Sequence, residues 1–449
     1  MLNSKNLQYK HQAWVENWDP EDPEWEVKYK KVALKNLIFS IFCEHIAFSV
    51  WLLWSIIAIN LNQTGFHFSA RELFWLVAAP NLIGAFMRLP YTYAVTFIGG
   101  RNWTVISSLL LLIPCLLIIF AASNSSVPYW ILLLIAATAG LGGGNFASSM
   151  ANINFFYPER YKGLVLGINA AGGNIGVSTV QLLAPIVIMI GGSLQLQNAG
   201  YAYAGLSILA AICAWLFMDN LAIARSSFSK QFSVVRRKHT WIMAILYIGT
   251  FGSFIGYSAA LPLLIKTQFP EISVAQYAFI GGLVGALCRP IGGWLADRVG
   301  GAQVTFWNFL AMSVGVIFVI SSLQMHNFNF FLASFVLLFM TAGLGNGSTY
   351  RMIPAIFQHQ ALAHNASGDE NREHLAKGRL DSAAVIGTTS SIGAFGGFLI
   401  PLSYGSFGVI SAFYTFFAFY ILCLSITWWY YTRKQFLTSK IPSLSTIKI

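Results

Sequence analysis

Four titratable side chains lie deep inside long apolar stretches of this 449-residue sequence: Glu44, His45, Arg88 and Arg289. A charged side chain at the centre of a lipid bilayer costs about 2.5–3.5 kcal/mol on insertion scales, so such residues usually serve a function. The planar guanidinium group of arginine presents paired N–H donors that match two oxygens of a planar oxyanion. Two arginines that face each other across a cavity would therefore suit a small anion.

The alternative role for these arginines is structural, with each one paired to a buried carboxylate. Glu44 is the only acid that lies well inside the apolar stretches, so it cannot neutralise both Arg88 and Arg289. Glu44 and His45 point about 100° apart on a helix, so at most one of them is expected to face a central cavity. A residue there would carry a proton or balance arginine charge. A hydrogen bond to a neighbouring helix is an equally good interpretation.

The composition excludes an ordinary soluble globular protein, because 56% of the residues are hydrophobic and only 10% are charged. Apolar stretches long enough to cross a hydrocarbon core of roughly 30 Å recur along the chain. The predicted spans are 36–60, 72–96, 103–122, 129–154, 163–190, 200–221, 240–264, 274–296, 302–322, 328–350, 381–402 and 407–432. The sequence therefore predicts an all-α membrane protein with twelve transmembrane helices.

The distribution of basic residues predicts the topology. If both termini are cytoplasmic, only Arg71 and Lys266 of the 27 Lys and Arg residues fall in outer loops. This asymmetry follows the positive-inside rule and explains the net charge of +11 without nucleic acid. Residues 1–35 contain no apolar region typical of a cleavable signal peptide. The five cysteines lie singly, without metal-ligand spacing, so neither a metal nor a cofactor is predicted.

An internal repeat divides the chain into two halves. LIGAFMRLP (82–90) matches LVGALCRPI (283–291), and TAGLG occurs at both 138–142 and 341–345. The first match places Arg88 and Arg289 at equivalent positions of the two halves. The predicted domains are an N-terminal cytoplasmic segment (1–35), a six-helix half (36–221), a cytoplasmic linker (222–239), a second six-helix half (240–432) and a cytoplasmic tail (433–449).

This plan resembles the major facilitator superfamily, in which two pseudo-symmetric six-helix halves enclose a substrate near the membrane midplane. WLADRVGG (294–301) is similar to the superfamily's cytoplasmic signature, while its first-half counterpart, TFIGGRNW (96–103), is degenerate. The resemblance implies a major facilitator fold in which the halves rock around the substrate.

The most glycine-rich stretch, 139–177, narrows the resemblance. Glycine within a helix costs about 1 kcal/mol relative to alanine, which is accepted where a backbone or ligand approaches closely; tight packing alone is the alternative. The stretch AGLGGGNFASSMANINFFYPERYKGLVLGINAAGGNIGV resembles the nitrate signature of the nitrate/nitrite porter family. IGTTSSIGAFGGFLIP (386–401) is similar to that family's second signature. NWDPEDPEW (17–25) resembles the bacterial respiratory branch, whose members exchange nitrate for nitrite.

The resemblance implies a substrate site at residue level. Arg88 and Arg289 match the arginines that clamp the anion, and Phe146 and Phe251 match aromatic residues stacked on its two faces. Ordinary packing is the alternative for these two rings. Asn174 and Tyr247 match the family's polar neighbours of the anion. The signature glycines, which would let helices slide and bend, are Gly142, Gly143, Gly144, Gly167, Gly172, Gly173, Gly393, Gly396 and Gly397.

The expected function is secondary transport of nitrate and nitrite, not enzymatic catalysis, and nitrate/nitrite antiport is the leading mechanism. Nitrate–proton symport through Glu44 or His45 is the alternative. A nitrate sensor that does not transport is a further alternative, which the short basic tail disfavours. We expect a monomeric multi-pass protein of the bacterial cytoplasmic membrane that contacts lipid and has both termini in the cytoplasm.

Overall fold

The structure is a computed structural model, and it describes residues 7–10, 14–224, 236–362, 384–434 and 443–445. Within these residues, twelve helices are long and apolar enough to cross a membrane. Numbered as spans 1 to 12, they are Lys30–Gln63, Ala70–Ile98, Gly100–Ala122, Tyr129–Phe156, Glu159–Val187, Gln197–Phe217, Lys238–Gln268, Val274–Val299, Gly301–Gln324, Phe328–Gln360, Ala384–Phe407 and Val409–Thr432. Each predicted span has its helix, which confirms the predicted all-α fold.

The observed ends differ from the predicted ones by a few residues at most spans, and the ends of spans 6 and 10 show two physical reasons for such differences. Span 6 was expected to reach residue 221, but it ends at Phe217 because the chain turns extended at Met218. Span 10 continues ten residues past its predicted end at residue 350, to Gln360, since a helix need not stop where the hydrocarbon core does. The predicted start of span 11 at residue 381, most of the linker and most of the tail lie outside the described residues.

The two halves repeat the same local geometry. Spans 2 and 3 meet at Gly99, with φ +94°, and spans 8 and 9 meet at Gly300, with φ +108°. Glycine tolerates this left-handed region because it has no Cβ. Spans 2 and 4 pack against each other in the first half, as spans 8 and 10 do in the second, and the halves meet mainly through the pairs 5–8 and 2–11. The repeated sequence motif thus marks a repeated turn.

The N-terminal segment folds onto the end of the first half. Trp14–Val15 pairs antiparallel with Tyr9–Lys10 and parallel with Asn220–Leu221, the strand that follows span 6. Further along the chain than Trp14–Val15, the short helix Trp25–Lys28 leads into span 1. Trp18 Nε1 donates to the Phe155 carbonyl at 3.1 Å, and Trp25 Nε1 donates to the Phe156 carbonyl at 3.3 Å. We call residues 14–29 the N-terminal clasp, because they tie the corner between spans 4 and 5 to span 1.

The helix bundle has two faces, on which the spans end and the loops lie. The terminal face carries the N-terminal clasp and the loops that follow even-numbered spans, and the opposite face carries the other loops. Toward the opposite face, Trp75 and Phe398 bring the halves together with ring centroids 5.9 Å apart. Gln181 Nε2 also donates to the Ser258 carbonyl at 2.6 Å. The halves are therefore closed on the opposite face.

On the terminal side the halves enclose a cavity of about 40 Å³. Phe146 and Tyr350 border its inner end, and Thr92, Asn154 and Leu166 lie nearer the terminal face. Because the opposite face is closed, this cavity marks the side from which the centre of the protein is approached.

Candidate anion-binding site

Arg88 and Arg289 converge at the centre of the helix bundle. Arg88 is 0% exposed and Arg289 is 3% exposed. The guanidinium carbon of Arg88 lies 4.5 Å from the ring centroid of Phe146 and 4.5 Å from that of Phe251, and the corresponding carbon of Arg289 lies 5.1 Å from Phe146. Ring faces attract cations, more strongly when desolvated. The ring of Phe146 thus lies against both arginines and offsets part of their mutual repulsion.

The arginines keep N–H donors without acceptors. Arg88 Nη1 donates to the Ser390 carbonyl at 3.2 Å, while its Nε and Nη2 have no partner within the described part of the chain. Arg289 Nη2 donates to the Tyr247 hydroxyl at 3.4 Å, and its Nη1 has no acceptor among the described residues. Buried charged donors are normally satisfied, so these N–H groups indicate a missing acceptor.

The geometry of the free donors indicates the kind of acceptor. The Nε and Nη2 hydrogens of arginine lie on one edge of the guanidinium plane and can bind two oxygens of a planar oxyanion side by side. Arg88 offers this edge, buried and unused, from the first half. On Arg289 the corresponding edge is interrupted, because its Nη2 donates to the Tyr247 hydroxyl, and its buried Nη1 faces the site without an acceptor among the described residues. The arrangement suits a flat anion with two or three oxygens.

Aromatic rings limit the thickness of the site. Phe146 and Phe251 have centroids 5.8 Å apart and planes 26° apart, and Tyr247 and Phe251 have centroids 5.3 Å apart and planes 13° apart. Tyr247 directly precedes a π-helical turn, Ile248–Gly252, which carries Phe251. Such turns are rare and frequently lie at functional sites. This turn places both rings of span 7 beside the arginines.

Asn174 is also a candidate ligand. Both polar atoms of its side chain are buried, and neither has a hydrogen-bond partner in the ranges that the structure describes. The same holds for Asn346 in span 10, which sequence reasoning missed. Tyr350, one helical turn further along span 10, was missed as well, although its ring centroid lies 5.5 Å from the Arg289 guanidinium carbon and its side chain lines the cavity. Nothing in its segment, GNGSTYRMIPAIF (345–357), distinguishes this tyrosine from an ordinary core residue.

The signature glycines lie mostly at close helix contacts. A methyl group on Gly396 would lie 2.8 Å from the carbonyl carbon of Gly252, so spans 7 and 11 meet backbone to backbone. In span 4, a methyl group on Gly143 would lie 2.7 Å from the Cα of Gly84 in span 2. Gly167 differs, since nothing among the described residues lies within 4 Å of the corresponding position. Gly167 therefore makes no contact that a Cβ would disturb.

Glu44 and His45 both contact span 5, although they leave span 1 in different directions. Glu44 Oε2 accepts a hydrogen bond from Asn169 Nδ2 at 3.0 Å, and His45 Nδ1 lies 3.1 Å from the Gly172 carbonyl. Asn169 Nδ2 also donates to Ser149 Oγ at 2.7 Å. Of the two residues, Glu44 interacts electrostatically with both Arg88 and Arg289.

A buried arginine pair between two repeated six-helix halves defines a secondary transporter of a small anion. A model of the Major Facilitator Superfamily matches residues 37–368. The D-xylose-proton symporter superposes with a TM-score of 0.60 at 14% identity, covering 87% of this chain and 97% of that one. A partially occluded inward-open form of the xylose transporter XylE from E. coli gives 0.61 at 13% identity, with 89% and 97% covered. At these identities the likeness concerns the fold alone.

Two sequence relatives cover nearly the whole chain. The chain is 40% identical to the nitrate/nitrite transporter NarU of Escherichia coli K12, over 97% of this chain and 99% of that protein. It is 35% identical to the probable nitrate/nitrite antiporter NarK2 of Thermus thermophilus, over 94% and 97%. The chain therefore belongs to the nitrate/nitrite porter family of the major facilitator superfamily.

Proposed function

We propose that this protein transports nitrate and nitrite across the bacterial cytoplasmic membrane by alternating access, and that it exchanges one anion for the other. The observation that carries the proposal is the buried pair Arg88 and Arg289, with unused donors beside the ring of Phe146. The similarity to relatives named as nitrate/nitrite transporters supports the choice of substrate.

The site has donors for every oxygen of nitrate. Two oxygens match the free edge of Arg88, and the third matches Nη1 of Arg289 or the amide of Asn174. Nitrite has only two oxygens and uses the Arg88 edge alone. The rings of Phe146 and Phe251 favour flat anions over tetrahedral or spherical ones, because a flat ion fits against ring faces while its oxygens stay in the donor plane.

Exchange follows from the charges of the arginine pair. Two guanidinium groups in a site that excludes water repel each other strongly, since the effective dielectric constant is low. An anion between Arg88 and Arg289 relieves this repulsion and lets the halves move together around the bound ion. The loaded carrier crosses more readily than the empty one, so the outward movement of nitrite accompanies the inward movement of nitrate.

The terminal face is the cytoplasmic face in this proposal, because the loops and segments on it carry most of the basic residues. Large apolar side chains on the flanks, such as Leu116, Phe120 and Ile186, are more than half exposed and suit contact with lipid. One chain supplies every residue of the site, which fits a monomeric transporter. This is a transporter rather than an enzyme, and it uses neither a cofactor nor nucleic acid.

Transport in proteoliposomes tests the proposal. Purified protein is reconstituted in vesicles loaded with nitrite, with chloride, or with buffer alone, and nitrate uptake is followed at equal internal and external pH. Exchange predicts rapid uptake into nitrite-loaded vesicles and slow uptake into the other two. Equal uptake in all three would exclude exchange, and absence of nitrate uptake in all three would exclude nitrate transport.

A further inference from the structure

The carboxylate of Glu44 lies where it can balance part of the positive charge of the arginine pair. Glu44 is 1% exposed, and within the described parts of the twelve spans it is the only buried acid. Its Oε2 accepts from Asn169 Nδ2, whereas its Oε1 has no partner among the described residues. An ordinary structural carboxylate has both oxygens satisfied. Half of this carboxylate is therefore free.

Among the described residues, only positive and neutral groups surround this carboxylate. The charges acting on it come from Arg88 in span 2 and Arg289 in span 8, and the neutral side chains of Ser149 and Asn169 lie beside it in spans 4 and 5. Two tyrosines complete the set of titratable groups around the arginines, Tyr247 in span 7 and Tyr350 in span 10. Cys43 and His45 flank Glu44 in span 1. The Cys43 thiol is directed to the Ala210 carbonyl, and the His45 ring is directed to the Gly172 carbonyl.

The charges balance in a specific way. With Glu44 ionised, the empty centre carries two positive charges and one negative charge. A monovalent anion adds a second negative charge close to the carboxylate, and a low dielectric constant makes their repulsion strong. If Glu44 takes up a proton as the anion binds, the centre keeps the same net charge of plus one, in both its empty and its loaded forms.

We propose that Glu44 and the transported anion are alternative counter-ions of the arginine pair, so that the protein carries out net nitrate–proton symport in addition to exchange. This inference rests on the proposed function. In each symport cycle one anion and one proton enter together, both leave on the other side, and the empty carrier returns with Glu44 ionised. The transported charge sums to zero. Exchange uses only the loaded half of the cycle, with Glu44 protonated throughout.

Asn169 can form a hydrogen bond with Glu44 in both the ionised and the protonated form of the carboxyl group. In the structure its Nδ2 donates to the carboxylate, while its Oδ1 has no donor within the described residues. An amide flip would present Oδ1 to a protonated Glu44, because an asparagine side chain donates from one end and accepts at the other. Asn169 Nδ2 also lies 3.5 Å from the sulfur of Met150, which lines the cavity. Asn169 and Met150 thus connect Glu44 to the cavity on the terminal side.

Binding must be linked reciprocally. If the anion strengthens proton binding at Glu44, then protonation strengthens anion binding by the same factor. Linkage to one proton makes the nitrate Kd of the wild type rise with pH, at most about tenfold per pH unit. In Glu44→Gln, which resembles the protonated form, the Kd should be low and independent of pH. Addition of nitrate to weakly buffered wild-type protein should also take up protons, approaching one per anion bound.

Proteoliposome transport separates the two modes. The first arm offers an inward proton gradient to vesicles without internal anion, and the second offers internal nitrite at equal pH. The wild type should take up nitrate in both arms. In the first arm, uptake by Glu44→Gln should be at least about tenfold lower than uptake by the wild type, as expected when the linked proton site is removed. In the second arm, Glu44→Gln should still exchange nitrate for nitrite. His45→Gln is the matched control and should behave as the wild type in both arms.

The outcomes are distinct. Wild-type exchange without uptake driven by the proton gradient would overturn the role of Glu44 and leave the proposed function standing. Absence of wild-type exchange would overturn the proposed function itself. Gradient-driven uptake that survives in Glu44→Gln would assign the proton to another group. If Glu44→Gln fails to fold, proton uptake by the wild type on nitrate binding still decides, and no proton uptake would refute the proposal.

Discussion

Arg88 should matter more for anion affinity than Arg289, although the two occupy equivalent positions of the repeat. Arg88 has two buried donors without partners on one edge, Nε and Nη2, whereas the same edge of Arg289 is interrupted because its Nη2 donates to the Tyr247 hydroxyl. Lysine keeps the positive charge but has no paired edge. Arg88→Lys therefore removes one of two charge-assisted hydrogen bonds to the anion, and Arg289→Lys replaces one donor with another.

The size of the difference follows from the strength of these bonds. A hydrogen bond to a charged group contributes about 1.5–3 kcal/mol. Loss of one such bond in Arg88→Lys should raise the nitrate Kd by about tenfold to about 150-fold. The Arg88→Lys loss includes the anchor to the Ser390 carbonyl, which lysine cannot hold while it also reaches the anion. Arg289→Lys should raise the Kd by less than about tenfold, because one donor remains.

Isothermal titration calorimetry with nitrate on detergent-purified protein measures both effects. Thermal unfolding of each variant checks that the bundle is intact, and binding of nitrite provides a second ligand that depends on the Arg88 edge alone. Nitrite binding should therefore fall in Arg88→Lys and change little in Arg289→Lys. Equal losses in the two variants, or unchanged nitrate affinity in Arg88→Lys, would refute the bidentate role of Arg88.

Three further substitutions, one of them with a matched control, test other parts of the structure. Gly396→Ala should reduce the transport rate and lower the unfolding temperature because a methyl group would press on the Gly252 backbone, and Gly167→Ala should change neither in the same proteoliposome and unfolding assays. Phe251→Leu removes a flat ring face and should weaken nitrate binding in calorimetry by about 0.5–1.5 kcal/mol, whereas unchanged affinity would mean that the ring only fills space. Trp18→Ala should lower the unfolding temperature by loosening the N-terminal clasp and preserve nitrate Kd; a changed Kd would show that the clasp acts on the site.

The sequence predicts the spans because hydrocarbon thickness limits every helix in the same way. The arginine pair is also predictable, since a repeated motif carries both residues and buried charge is rare. The strand Asn220–Leu221 is different: its partner lies some two hundred residues earlier at Trp14–Val15, and two-residue strands leave no periodic pattern. Span 6 was predicted too long for this reason.

Some parts of the site cannot be predicted from the sequence, because their residue types are common in any helix bundle. The Ser390 group that accepts from Arg88 is a backbone carbonyl. Every residue carries a backbone carbonyl, so the residue type gives no sign of this role. The roles predicted for Phe146 and Phe251 came only from family resemblance, because a buried phenylalanine is usually ordinary core. Tyr350 becomes a candidate only when its distance to Arg289 is known.

The two arginines differ in how they are held, and this difference connects binding with movement. Arg289 is held by Tyr247 within its own half, so its position persists when the halves rock. Arg88 is held by Ser390 of the other half, and next to this bond Ser391 Oγ donates to the Ala85 carbonyl at 2.7 Å. Movement of span 11 away from span 2 would break both contacts and release the Arg88 guanidinium. The free edge of Arg88 is thus oriented for an anion only while spans 2 and 11 remain together, and anion affinity depends on which face of the protein is closed.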